Sequence, residues 1–358
     1  MRHLTAGLAV LAAVIVTATA TAAGAKHDDG YTVHNLVSDG FVPADHTDAN
    51  LVNSWGIAAS ATSPWWVADN GTDVSTLYNG IGVAQFPPTP LVVGVAGDPT
   101  GIVFNGSSNF VINDGNGHSG PAVFMFATEG GTIRGWNPGV PPPPRSTQSF
   151  LGTSVSGGVF KGLAIAGNRL YATDFHNGKV DVYDGTFTPV TTTGGFVDPK
   201  LPEGYAPFGI QNIGGEIFVT YGKQDAAAHD EVDGQGLGIV DEYTTDGVLI
   251  TRVATHGQLN GPWGLAMAPP DFGEFSGDLL VGNFGDGRIN AFERMEHGGW
   301  QFAGQLRGTD GKKLAVDGLW GIGFGNGSGS GDMNDLYFAA GPDDEHHGLF
   351  GEISAASG

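Results

Sequence analysis

The chain has no cysteine. Disulfides, thiolate metal sites and a cysteine nucleophile are therefore excluded. Basic residues are scarce: 15 lysines and arginines stand against 37 aspartates and glutamates in 358 residues, a formal net charge of −22. Nucleic-acid binding draws its affinity from cations that neutralise phosphates, so that class of partner is excluded, and anionic lipid surfaces are disfavoured on the same ground. Local catalytic signatures are missing too. There is no G-x-S-x-G elbow, no H-E-x-x-H, no P-loop and no EF-hand loop.

Long apolar runs are also absent after the first residues. Ala6 to Val16 is apolar, Arg2 and His3 precede it, and Ala23-Gly24-Ala25 supplies an A-x-A-like cleavage site. The run is too short to span a bilayer and reads as a signal peptide over residues 1–25. The expected product is secreted, extracellular and monomeric. Its residues 26–358 form a single domain with no membrane span.

What the chain does have is glycine, 61 residues of it, with 20 prolines. Both oppose helix interiors and favour short strands joined by turns. A unit recurs along the sequence. It opens with a bulky residue, a glycine and two or three apolar residues, as in Trp263-Gly264-Leu265. An apolar run follows (Leu279-Leu280-Val281), then a polar glycine-rich turn, then an alternating strand (Arg288 to Phe292). The marker glycines are Gly56, Gly101, Gly162, Gly209, Gly264 and Gly321. Their roughly 45–60-residue spacing, with several strands per copy, predicts an all-β, six-bladed β-propeller. The marker glycine begins each inner strand, where the backbone crowds the axis. The second copy is irregular, with later strands read at Phe110-Val111-Ile112 and Ala122 to Ala127. An outer strand is expected in each blade. Pro141 to Pro144 read as an extended surface loop. The sixth copy runs out after Ile353 without an outer strand, so Tyr31 to Val37 is predicted to pair with Leu349 to Ile353 and close the ring.

Several segments carry a family likeness: HNLVSDG, NLVNSWGIA, FATEGGTIRGWNP, LYATDFHNGKVDVYDG, YAPFGIQNIGGEIFVTYGKQDA, FSGDLLVGNFGDGRINAF and LYFAAGPDDEHHGLFGEI. They cover most of residues 31–354. The chain resembles an uncharacterised family of secreted bacterial propellers, whose members often carry a C-terminal sorting tail that does not appear here. At fold level it is similar to NHL-repeat and gluconolactonase-like propellers. That second likeness implies a Glu, Asn and Asp set around a central divalent cation. The Glu has no match, since Lys161, Thr100 or an aromatic stands where an inner-strand acid is wanted.

A propeller gathers the turns between second and third strands on the same face as the starts of the inner strands. Trp55, Lys161, Phe208, Trp263, Trp320, Asp69, Asn70, His176 and Lys223 are therefore the candidate ligand-binding residues of one mouth. The tryptophans suit stacking on sugar rings; their simpler reading is packing between blades. Asp174, Asn283 and Asp343 are the candidate metal ligands, with Ca²⁺ the cation that carboxylate-rich turns suit. For Asp174 the simpler reading is a hairpin turn with Asn177-Gly178. For Asp343-Asp344-Glu345-His346-His347 it is a solvated acidic loop. His229-Asp230-Glu231, in the longest insertion, reads as a lid over the mouth or as a surface loop. The first expectation is a binding protein for a small molecule, glycan or extracellular protein. The alternative is a cation-dependent hydrolase of lactonase or esterase type, with a propeller lyase as a weaker third.

Overall fold

The computed structural model describes residues 30–142 and 145–356, so the signal-peptide segment lies outside the described residues. The secondary structure is almost wholly strand, with two short 3-10 turns, and six sheets form the blades. Among the described residues no helix is long and apolar enough to cross a membrane.

The fifth blade shows the plan. Pro262–Met267, Leu279–Asn283, Ile289–Arg294 and Trp300–Gln305 run antiparallel from axis to rim. The second strand is buried at every position because sheets cover both its faces, whereas the outermost is mostly exposed. The ring closes as the sequence predicts. Tyr31–Ser38 pairs antiparallel with Leu349–Ala355, from Tyr31 opposite Ala355 to Ser38 opposite Leu349. The Tyr31 hydroxyl donates to the Phe272 carbonyl at 2.9 Å, tying this strand to the fifth blade. Deleting residues 30–38 should expose the edge of Leu349–Ala355 and drive association. Size-exclusion chromatography checks this; a monomer with unchanged melting would refute the closure.

Two blades depart from expectation. In the second, Val111–Asn113 is not a blade strand. It pairs with Ser119–Pro121 as a separate hairpin, and Phe124–Thr128 is the second strand. Phe110 has φ 59° and packs against Phe187, so the chain turns there instead of continuing. The third blade has three strands, Phe160–Ala166, Arg169–Asp174 and Lys179–Asp184. Beyond them Pro189 makes a single bridge to Tyr183, and proline has no N–H to extend a ladder. Of the proline run, Pro141 and Pro142 follow Thr132–Trp136 in the second blade, and Pro143 and Pro144 lie outside the described residues.

The marker glycines form the hub. A Cβ on Gly56 would stand 2.5 Å from the Thr100 carbonyl oxygen, on Gly101 2.4 Å from the Leu163 nitrogen, and on Gly162 2.8 Å from the Phe208 oxygen. On Gly209 it would stand 2.1 Å from the Trp263 oxygen, on Gly264 2.5 Å from the Trp320 oxygen, and on Gly321 2.6 Å from the Trp55 oxygen. Each glycine thus touches the inner strand of the next blade, and the last touches the first.

Candidate functional site: a plugged, acid-rimmed mouth

Pairing between inner and second strands is irregular around the marker glycine in all six blades. Bulges of this kind re-aim side chains. Trp55, Phe208, Trp263 and Trp320 converge on the axis as one buried cluster with Phe175 and the partly buried Phe284. Trp55 and Trp320 stack with centroids 3.5 Å apart, and Trp263 meets both edge-on at 5.9 and 5.8 Å. Phe284 stacks on Trp320 at 4.1 Å, and Phe208 lies 5.8 Å from it. These rings pack on each other and plug the channel.

Lys161, the third blade's counterpart of the tryptophans, is 1% exposed. Its ammonium lies 5.0 Å from the Trp55 ring centre, a cation–π contact. It pairs with Glu129 and, at 3.1 Å, with Asp230. Glu129 stands in the turn after Phe124–Thr128 and accepts from the Asn70 amide at 2.9 Å; Asn70 in turn accepts from Asn53 at 3.1 Å. His229 Nδ1 lies 2.8 Å from Asp230. Glu129, His229 and Asp230 bring ligand-type atoms within 4.8 Å of one another. The Lys161 ammonium is already bonded to two of the three.

Charge at this mouth is shared unevenly. Burial favours neutral Lys161, but Glu129, Glu231 and Asp230 outweigh it and raise its pKa, so it stays an ammonium. Burial pushes Glu231 up to about 8, against the pull of Lys161. It pushes Glu345 up to about 7, with Glu129 and Asp230 adding to the rise and Lys161 opposing it. Burial also opposes ionisation of Asp230, but Lys161 and His229 prevail and lower its pKa. Acids with shifted pKa around one buried cation make this mouth a candidate functional centre.

The predicted residues are thus distributed unequally. Trp55, Phe208, Trp263, Trp320, Lys161 and Asn70 meet at or beside this centre. Asp69 does not: it is fully buried and accepts from Ser54 and from the Thr76 hydroxyl and N–H. Burial raises its pKa well above the usual range, with the Thr76 hydroxyl pulling the other way. Asp174 accepts from the backbone of Val159 and Asn177 and from the Asn177 amide, the hairpin role. Asn283 donates to Gln258 O and to Asp286. Asp343 is exposed, with its N–H on Asp317 and its carboxylate 4.0 Å from His347. Asp174 thus serves its own turn, Asn283 links its turn to Gln258, and Asp343 stands exposed. His176 is exposed, 3.2 Å from the Ala228 carbonyl, and Lys223 is an exposed strand end whose carbonyl accepts from Val232.

The insertion carrying His229 to Glu231 lies against the third blade. Gln224 donates to Phe175 O at 2.5 Å, and Asp230 reaches Lys161. Sequence reasoning named Glu231 and Glu345 only within acidic runs and missed Glu129. A carboxylate in a turn has no periodicity to betray it. The one available signal was position: Glu129 stands in the second blade's strand-to-strand turn, as Asn70 does in the first.

Fold and mouth define a six-bladed propeller whose channel is stoppered by tryptophan and rimmed by acids. The chain belongs to a family that includes two uncharacterized proteins of Acanthamoeba polyphaga mimivirus. It is 33% identical to protein R648 over 334 residues, covering 90% of this chain and 80% of that one, and 33% identical to protein L690 over 336 residues, covering 90% and 85%. No protein-family model matches the chain. The expectation of a secreted bacterial family finds no support in these relatives, which are viral. Among solved structures it is similar to a Bacteroides thetaiotaomicron protein of unknown function (TM-score 0.57, 11% identity, covering 90% and 76% of the two chains). It is also similar to a glucose dehydrogenase (0.53, 13%, 91% and 100%) and a streptogramin B lyase (0.50, 12%, 91% and 98%). At such identities the likeness is one of fold.

Proposed function

We propose that the protein is an exported binding propeller that captures a ligand bearing a cationic group, such as a small amine, at the acid-rimmed mouth. The observation that carries this reading is the imbalance at the centre. One buried ammonium, Lys161, is set among Glu129, Asp230, Glu231 and Glu345 from three blades, so the rim holds more acid than it neutralises. The net charge of −22 adds long-range attraction for cations. The aromatic plug closes the channel below, so the ligand sits on the mouth and does not thread it. Export rests on the apolar segment at Ala6 to Val16 and on the cleavage pattern after it.

A second reading, a divalent-cation hydrolase using Ca²⁺ or Zn²⁺, draws on the grouping of Glu129, His229 and Asp230. The Lys161 ammonium bonded to two of those acids weighs against it, because a metal there would face a positive charge at close range.

The test is calorimetry with primary amines and guanidines, neutral sugars, lactones, Ca²⁺ and Zn²⁺. Amines should bind, and more tightly between pH 6 and 9, because Glu345 at about 7 and Glu231 at about 8 ionise across that range. Glu345→Gln should flatten that dependence. Binding only of sugars or metals, or amine affinity indifferent to pH, would overturn the reading.

A further inference from the structure

The opposite end of the axis has a different chemistry. Beyond the marker glycines, one aliphatic residue from each blade forms a neck: Ile57, Ile102, Leu163, Ile210, Leu265 and Ile322. The space within it is about 30 Å³, enough for a water and too small for an organic ligand. Past the neck the channel widens into a cavity of about 500 Å³ that opens on the face away from Lys161.

Side chains along a strand alternate, so the next axial layer comes two residues later. That layer is Ala59, Phe104, Ile165, Met267 and Phe324 from five blades, with Asn212 from the fourth. Ordinary core packing accounts for the neck, which is largely buried. The second layer also packs on the blades, Phe104 against Phe124 at 5.5 Å and Phe324 against Phe272 at 4.9 Å, but its members are only half-buried or, for Met267, 36% exposed, and keep a face on the cavity. Polar residues would be tolerated there, yet five of six positions are apolar.

Two amides near this layer are already engaged. Asn212 donates to Ile165 O at 2.8 Å and accepts from Gly215 N–H. The Asn326 amide donates to Ser60 O and Ser63 O, and its oxygen accepts from Ser328 and Ser330. They hold the rim together; Gln211 lines the cavity as well, so the wall is apolar along the second layer and polar beside it.

We infer that this funnel is a second binding site, for an uncharged small molecule with a slender hydrocarbon portion, of the long-chain alcohol type. The volume lies within the range of small-molecule sites. The taper towards the neck suits a chain inserted end-on. A charged head group is disfavoured inside, because the lining's polar side chains, Ser60, Gln211, Asn212 and Asn326, carry no charge to compensate its desolvation; Gln211 can meet a hydroxyl. The site is independent of the mouth, from which the neck and the tryptophan plug separate it.

The experiment uses the described chain and N-phenyl-1-naphthylamine, a probe that brightens in apolar cavities, displaced by dodecanol. One saturable probe site per chain is expected, released by dodecanol and not by amines. Met267→Lys, at an exposed position, should weaken probe binding at least about tenfold by placing a charge on the wall. Ala59→Trp should do the same by filling the space, and melting curves confirm folding of both. The site is disproved if the probe fails to saturate, if dodecanol fails to displace it, or if a folded Met267→Lys protein binds it as before.

Discussion

Replacing Lys161 by Met should destabilise the protein by about 3–5 kcal/mol at pH 8, the loss expected when one partner of a buried ion pair is removed. Lys161 and Glu129 are 1% and 13% exposed, so little solvent screens them. Asp230 contributes less, since its side chain is 63% exposed and keeps His229 as a partner. The deficit should depend on pH, with a definite sign. Glu231 and Glu345 have folded-state pKa values of about 8 and about 7, above their ordinary 4.5. The fold therefore favours their neutral forms. Their contribution to stability is fully present below 4.5 and is lost as pH rises through 7 to 8. Lys161 opposes both upward shifts, so without it the loss at alkaline pH grows. Urea unfolding of wild type and variant at pH 5, 6.5 and 8 should show the gap widening with pH. A variant as stable as wild type at pH 8, or a gap that widens towards acid, would show that the ammonium does not hold these acids.

The two ends of the axis also explain what could be read from the chain beforehand. The architecture was legible because every blade repeats one steric demand, a glycine against the next inner strand, and five of the six follow one burial rule, an apolar second strand beside a more exposed third; the fourth departs, with Ile239–Tyr243 buried throughout. In five of the six blades, all but the second with Thr100, the residue before the glycine was read as a mouth residue for the same reason. The acids that complete the mouth were not. Glu129, Glu231 and Glu345 lie in turns of different length, and what unites them is proximity to Lys161 in space. Phe110 to Ile112 misled because apolar residues in a row resemble a blade strand, while the left-handed backbone at Phe110 leaves no trace in hydropathy. The funnel was hidden in plain view. Its residues lie one and three positions after each marker glycine, in strands already assigned to the core. Only closure of the ring shows that six such positions face one another across a cavity.

Among the six marker glycines, Gly209→Ala should be the most damaging substitution. The added methyl would stand 2.1 Å from the Trp263 carbonyl oxygen, 2.8 Å from the Trp263 carbonyl carbon and 3.0 Å from the Thr220 hydroxyl oxygen. Two of those three atoms are backbone, so no rotamer change relieves the clash. The Gly209 N–H also donates to Thr220 Oγ1 at 2.8 Å, which fixes the inner strand on its neighbour. Relief would require the fourth and fifth blades to separate at the hub. Overpacking costs of about 1–3 kcal/mol are usual where side chains can adapt; here the loss should reach at least about 3 kcal/mol. That is a large part of the ~5–15 kcal/mol by which domains are stable. Because Trp263 carries the clashing oxygen and its indole N–H donates to Lys161 O at 3.1 Å, the plug should be disturbed as well. The variant should therefore lose near-ultraviolet tryptophan dichroism along with stability. Gly94→Ala is the control, since its added methyl would meet nothing nearer than the Thr147 oxygen at 3.6 Å. If both variants melt together with wild type, the glycine ring is not what sets the spacing of the blades.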